Sequence, residues 1–234
     1  FGVVKVFKFK EPKGDLKTAT IIKEADGLYL KIVVDEYNSK VKNRDSQSVV
    51  ALDMGLKFFT VTSDGEFVDN PKHLFKYLAE LRVQQRKLSR MKKGGKNWNK
   101  QLIVVQRLYL KVKRCRLDFL QKQSTLISDR YETVIVEDLN IAGMSKNKKL
   151  SKHILDCGWG TFFSLLEYKT SVVRVSPRYS SQECSKCSHT CKENRPTQSL
   201  FECVKCGFTE NADFQATLNL LQWGQTLMEA NVEQ

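Results

Sequence analysis

The 234 residues carry 39 Lys plus Arg against 26 Asp plus Glu, a formal net charge of +13, and seven Cys. That length allows one large domain or two small ones around a real core. No apolar run approaches the ~18 residues of a membrane span and no charged-then-apolar leader opens the chain, so neither membrane insertion nor secretion is expected.

In chain order, residues 1–47 read as β structure. The opening run VVKVFKFK shows partial alternation, and KTATIIKEADGLYLKIVVDEY is a hairpin candidate with Asp26-Gly27 at the turn. The chain starts at Phe1 without Met and is strand-like at once, so a β module continuing upstream is expected. Residues 38–48 are polar and linker-like. The text then becomes apolar, with a strand ending at Asp53, a turn around Gly55, and a second strand from Phe58 to Thr62. A carboxylate closing an apolar run is costly unless it is solvated or holds a cation. A plain turn-forming Asp is the competing reading.

The segment from Lys72 to Arg130 holds 17 Lys plus Arg against Glu80, Asp118 and Asp129, a local net charge of +14, so the basic excess belongs there. Its pattern is helical. Leu74, Leu78, Leu81 and Leu88 share a face, the run breaks at Lys92-Lys93-Gly94-Gly95-Lys96, and Trp98, Leu102, Val105, Tyr109, Val112 and Phe119 mark a second helix. Charge runs usually form solvated faces, but an excess this lopsided favours a polyanion and salt-dependent binding. Candidate nucleic-acid contacts are Arg82, Arg86, Lys87, Arg90, Lys92, Lys93, Lys96 and Lys100. Trp98 sits at a core-type spacing, with base stacking as the lesser reading.

Thr133 to Val136 is a β-branched run suited to a strand buried on both faces, and it ends in Glu137-Asp138. Ile154 to Tyr168 reads as one helix and Ser171 to Val175 as a strand. Cys184 and Cys187, then fifteen residues, then Cys203 and Cys206, have the spacing of a four-thiolate zinc site. Four thiols at metal spacing within an odd Cys total fit a reducing compartment better than a disulfide framework. His189 and Cys191 lie near enough to compete as a fourth ligand, a minority reading beside two C-x2-C knuckles. Cys115 and Cys157 read as packed thiols, and His73 and His153 as ordinary surface or core residues. Asn211 is a plausible N-cap for a last helix that places Asp213 in its first turn.

Asp53, Glu137 and Asp213 therefore stand at two strand ends and one helix start. Such a set suits two Mg²⁺ ions, hard cations that take oxygen ligands and promote in-line phosphodiester hydrolysis. Asp138 and Asp64 are possible helpers, Asp64 more plainly a turn residue. Strand, strand, helical crossover, strand with these acids is the order of an RNase H-like α/β fold.

The motifs Ala51-Leu52-Asp53-Met54-Gly55-Leu56 with Ser63-Asp64-Gly65, Val136-Glu137-Asp138-Leu139-Asn140-Ile141-Ala142-Gly143-Met144, Trp159-Gly160 and Leu166-Glu167-Tyr168-Lys169 carry a resemblance. So do Ser180 to Cys187, Cys203-Val204-Lys205-Cys206-Gly207 and Asn211 to Asn219. From about Ser48 to Leu221 the chain resembles the C-terminal part of the TnpB (OrfB) family, relatives of type V CRISPR effectors. The resemblance implies a RuvC-like nuclease core with an inserted zinc ribbon that cuts target DNA under an RNA guide made from the element's own end. By position it implies catalytic roles for Asp53, Glu137 and Asp213, structural zinc at Cys184, Cys187, Cys203 and Cys206, and two Mg²⁺ ions at the acids.

It also implies a division into a wedge-like β remnant over 1–47, a nuclease core over 48–180 containing the basic hairpin 72–130, a zinc ribbon over 181–210 and a C-terminal helix and tail over 211–234. A cytoplasmic, nucleoid-associated protein is expected. A non-cleaving nucleic-acid-binding remnant is the alternative reading, and a DNA-joining transposase a weaker one. Departures from the family are a shortened connection after Lys169, Ser188 where Gly is usual, and Gln215 and Thr217 where Asn and Ala are usual. The upstream wedge and helical recognition segments of the family are not in this chain.

Overall fold

A computed structural model describes residues 14–35 and 48–232. The strand expected within the first ten residues and nearly all of the expected linker fall outside that range. The chain divides into two compact units.

The described part of the first unit is 14–35 with 74–115. Strands β1 (Asp15–Glu24) and β2 (Gly27–Asp35) pair antiparallel. Glu24 faces Gly27 across a two-residue turn, so Ala25-Asp26 make the turn and Gly27 opens β2, one residue earlier than the sequence pattern placed it. Helix α1 (His73–Ser89) and the first half of α2 (Lys96–Arg130) form the basic hairpin with the expected break between them. Leu81, Val105 and Val112 are buried, while Gln101 donates to Gln84 and Gln85 to the Tyr109 hydroxyl. Tyr109 therefore ends half-exposed instead of in the apolar stripe. Arg114 and Lys113 tie α2 to the hairpin turn through Asp26 and Glu24.

The second unit, 48–73 with 116–232 in its described part, is built on a five-stranded sheet. Its strands are β3 (Val49–Met54), β4 (Phe58–Thr62), β5 (Phe67–Asp69), β6 (Thr133–Glu137) and β7 (Ser171–Val175), in the order β5-β4-β3-β6-β7. β3, β4 and β5 are an antiparallel meander, whereas β6 runs parallel to β3 and β7 parallel to β6.

Alternation sets the two faces of this sheet. Val50, Leu52, Val134 and Val136 point into a core with Leu120 and Ile127 of α2, Ile141 of the short α3 (Ile141–Met144), α4 (Ser151–Cys157) and α5 (Trp159–Glu167). Ala51 and Ile135 point the other way, toward Leu220 of α6 (Ala212–Val232). The single helix expected from Ile154 to Tyr168 is broken at Gly158, which takes φ 72°. A side chain there would also press on Arg116 and Leu120 at 3.1 Å. Arg116 itself pairs with buried Asp156 at 2.7 Å, so the break lets α4 and α5 settle around that ion pair.

The short connection after Lys169 is held firmly. The Lys169 ammonium donates to Gln121, Ser124 and Thr125 of α2, and the Thr170 hydroxyl donates to the Glu132 carbonyl at 2.6 Å. Ser171 then enters the sheet beside Thr133.

Helix α6 approaches the sheet closely at Gly224, where an added Cβ would stand 2.4–2.7 Å from three carbons of Ile135. No χ1 rotamer of Ile135 clears the clash, because two of the three staggered positions on its Cβ always hold a carbon and at least one clashing position stays filled. Alanine's helix preference gains about 1 kcal/mol, but overpacking a rigid core costs typically 1–3 kcal/mol and more when the neighbour is trapped. At a net cost of about 2 kcal/mol, Gly224→Ala is expected to lower the melting temperature by about 4–8 °C. A melting curve unchanged or raised would show that α6 and Ile135 have room to separate.

Candidate active site and metal centre

The alternation that buries Val50, Leu52 and Met54 on one side of β3 turns Asp53 to the side of Ala51, the face covered by α6. On β6 the same rule puts Glu137 with Ile135. Because the two strands are parallel neighbours, both carboxylates emerge at the same end of the sheet. α6 begins there. The Asn211 side chain accepts from the N–H groups of Asp213 and Phe214 at 3.0 and 3.2 Å, which caps the helix as expected and fixes Asp213 in its first turn.

Asp53 feels the charges of the other two acids. Burial, then the charges of Glu137 and Asp213, push the Asp53 carboxyl up to about 8, against the opposing pull of Arg195. Burial also raises Glu137, offset by a 2.8 Å hydrogen bond donated by the Ser180 hydroxyl to its Oε1. Arg195 donates to Asp213 Oδ1 at 3.1 Å and to the Gln198 carbonyl at 2.6 Å. Three carboxylates facing one guanidinium leave an excess of negative charge, a composition suited to hard cations. Asp138 turns outward to Arg174 at 3.7 Å, and Asp64 accepts from the Tyr131 hydroxyl.

The four cysteines come together as expected. Their sulfurs all lie within 4.8 Å of one another, with Cys184 3.7 Å from Cys206 and Cys187 3.6 Å from Cys203. A tetrahedron of thiolates ~2.3 Å from zinc has edges of ~3.8 Å, so the donors fit a metal ion of that size. Among the described residues no other three or more His, Cys, Asp or Glu ligand atoms lie this close together, those of Asp53, Glu137 and Asp213 included. Cys191 instead donates to Glu193 and stands apart from the cluster.

The two knuckles share one construction. The N–H of Ser188 bonds to the Cys184 carbonyl and that of Gly207 to the Cys203 carbonyl, both at 2.8 Å. Both residues adopt left-handed φ, 54° and 72°. That conformation explains the usual Gly after the second Cys, and Ser188 takes it at a local cost of order 1 kcal/mol. Burial opposes ionisation of Cys203, yet the N–H groups of Cys206 and Lys205 draw its thiol down to about 7.

The thiol module is coupled to α6. Buried Gln215 donates to the Glu183 carbonyl and accepts from Ser185, and buried Asn219 donates to the carbonyls of Ser180 and Glu183. Buried Asn194 ties the segments at Gln182, His189 and Val204 together. Arg195 and Asn194 carry no local pattern that marks them, and Ser180, though part of a motif, shows no sign in it of its partner Glu137, 43 residues earlier. These roles appear only when folding brings the partners to contact distance.

The eight basic residues proposed to meet nucleic acid, Arg82 to Lys100, are all exposed. Among the described residues none of them pairs with a carboxylate.

The family model OrfB_IS605, a probable transposase, matches residues 31–148, half of the chain. The chain belongs to the OrfB_IS605 family. A second model, the Cas12f1-like TNB domain, matches 159–220, the stretch holding the four thiols and the start of α6. An Escherichia coli (strain K12) protein named "Putative RNA-guided DNA endonuclease InsQ" is 33% identical over 94% of this chain and 59% of its own length. A Streptomyces pristinaespiralis protein named "Putative RNA-guided DNA endonuclease" is 33% identical over 76% of this chain and 45% of its own. The chain thus spans about half the length of these curated relatives. Among solved structures, a CRISPR-Cas12f ternary complex aligns with a TM-score of 0.53 at 25% identity, over 83% of this chain and 41% of that one. No helix among the described residues is long and apolar enough to cross a membrane.

Proposed function

We propose that this chain is the nuclease portion of a transposon-encoded, RNA-guided, Mg²⁺-dependent DNA endonuclease of the TnpB type, with an RNase H-like, RuvC-like core. What supports the reading is the placement of Asp53 and Glu137 at the same end of the sheet, on the face covered by α6, with Asp213 in the first turn of that helix. The sheet order β5-β4-β3-β6-β7 and the names borne by the relatives support it.

Asp53, Glu137 and Asp213 would hold two Mg²⁺ ions, which when bound activate water and neutralise the charge that develops on the phosphodiester. The chain's own groups prepare that site. Ser180 occupies one oxygen of Glu137 and leaves the other for a cation, and α6 and its Asn211 cap fix the direction of Asp213. Arg195 supplies positive charge beside Asp213, compensating the cluster when no cation is near. The four thiols would hold a structural zinc that keeps the Arg195 loop and the start of α6 in register. The exposed arginines and lysines of α1, the break and α2 would grip the phosphates of guide RNA and target DNA, so binding would weaken steeply with salt. Such a protein would work in the cytoplasm, on nucleoid DNA.

The test is cleavage of labelled single-stranded and duplex DNA by the protein purified with its co-expressed element RNA, in Mg²⁺ and after chelation. Guide-directed, Mg²⁺-dependent cutting is expected. Salt-sensitive binding without any cutting would leave a zinc-stabilised nucleic-acid-binding protein in its place.

A further inference from the structure

A cavity of about 440 Å³ lies between the chain leaving β7 and the middle of α6, outside the carboxylate cluster. Val175, Arg178, Tyr179, Trp223, Thr226 and Leu227 line it. Its size is that of a small-ligand pocket. Trp223 packs against the cluster of Ala51, Ile135, Val175 and Leu220, so the core fixes its indole while the ring also borders the cavity. Tyr179 is 59% exposed and has φ 66°, a left-handed conformation that is uncommon for a bulky residue. Its carbonyl accepts from the N–H groups of Gln182 and Glu183, which anchors the turn despite the strain. The next residue, Ser180, is the one that holds Glu137. The cavity wall and the support of a carboxylate in the cluster are thus consecutive residues.

Two aromatic rings and a guanidinium around a largely apolar cavity, with the hydroxyl residues Ser176 and Thr226 also on its wall, complement a nucleobase and its phosphate. Every base offers a flat apolar face for stacking, and Arg meets the phosphate. Ten residues of helix separate Asp213 from Trp223, roughly 15 Å of axial rise. At ~3.4 Å per stacked nucleotide, that is about four nucleotides, and fewer for a stretched strand.

We propose that this cavity receives one unpaired base of the DNA strand held at Asp53, Glu137 and Asp213, stacked on Trp223 and Tyr179, with Arg178 at its phosphate. The identity of the strand rests on the nuclease reading, whereas the pocket is tested without cleavage. The base anchors the strand a few nucleotides from the bond to be cut, so the site favours unpaired over duplex DNA.

The measurement is tryptophan emission in a Trp98→Phe background, where buried Trp159 and half-buried Trp223 remain. The zinc-loaded chain is titrated with oligo-dT of about twelve nucleotides and no added Mg²⁺. Saturable quenching is expected. Thr226→Phe, which fills the cavity from an exposed position and spares the core contacts of Trp223, should weaken binding about tenfold and remove the quenching. Tyr179→Ala, at an exposed ring outside the core, should weaken it about fivefold or more.

Absence of quenching, or unchanged quenching and affinity in both variants, overturns the proposal. Equal affinity and quenching with oligo-U overturns the assignment to DNA. A failure of Mg²⁺-dependent cutting with these binding results intact removes the nuclease reading and leaves the base pocket standing.

Discussion

Asp53→Asn is expected to reduce guide-directed cleavage by about 10³-fold or more while making the metal-free protein more stable. Both effects have one cause. Asp53 is held among Glu137, Asp213 and buried surface, so its carboxylate form is disfavoured and its carboxyl is raised from the ordinary 3.8 to about 8. A carboxyl raised on folding binds its proton more tightly in the native state than in the unfolded chain. Stability contributed by Asp53 is therefore greatest below the unfolded value near 4, erodes as pH rises, and is lost by about pH 8. Asparagine removes that slope. At pH 8 without divalent cations the variant should gain about 1–3 kcal/mol.

Mg²⁺ added at pH 8 should raise the melting temperature of the native protein, through preferential binding to the folded state, and leave the variant nearly unmoved. The loss of activity follows because a metal ligand contributes several kcal/mol of transition-state stabilisation, and each 1.36 kcal/mol is a factor of ten. The check is thermal unfolding from pH 5 to 8 with and without Mg²⁺, beside single-turnover cleavage. A variant no more stable than the native chain at pH 8, or one still cutting at the native rate, would falsify the assignment of Asp53.

Removing the metal from the thiol cluster, by chelation or by Cys203→Ala, should unfold the segment from Ser180 to Asn211 while sparing the sheet. Phe201, Cys184, Cys203 and Ala212 make up the small buried cluster of this segment, and two three-residue strands, Leu200–Glu202 and Thr209–Asn211, are its β structure. So little apolar area cannot offset the entropy of ordering some thirty residues. Zinc sites of this type supply apparent free energies of about 10–16 kcal/mol in isolated modules. The consequence reaches the carboxylates, because Arg195 and the hydrogen bonds that Glu183 accepts from α6 lie in or beside the segment.

Hydrogen exchange should show lost protection over Cys184 to Cys206 and at the first turn of α6, with β3 and β6 still protected. Elemental analysis should find one zinc per native chain. Cleavage should fall with the zinc, well below the effect of a surface substitution such as Lys148→Ala. Full protection of the segment after metal removal would show that it folds without zinc.

The periodicities and spacings that the sequence displays are those governed by near neighbours. A period of two fixes which face of β3 and β6 carries Asp53 and Glu137, and an Asn before an amphipathic run fixes where α6 begins and hence where Asp213 lies. Two C-x2-C pairs at this spacing are the pattern of a four-thiolate cluster, and each knuckle is local. The basic excess between Lys72 and Arg130 is likewise a property of composition.

What the tertiary structure decided depends on residues distant in sequence meeting at contact distance. Gly158 breaks the expected single helix because Arg116 and Leu120, some forty residues earlier, fill the space a side chain would need. Gly224 lets α6 reach Ile135, and nothing around Gly224 in the sequence announces that neighbour. Arg195 reads as one more basic residue until folding sets it against Asp213, and Ser180 as one more serine until it reaches Glu137. Gln215 and Asn219 read as polar residues on a helix face, yet they are buried because the segment before Cys184 offers them carbonyls. The sequence alone determined the chemical groups and the elements that carry them, because both follow from local pattern. The folded structure decided the charge balance, supports and cavity around those groups, because those are set by neighbours brought together only by packing.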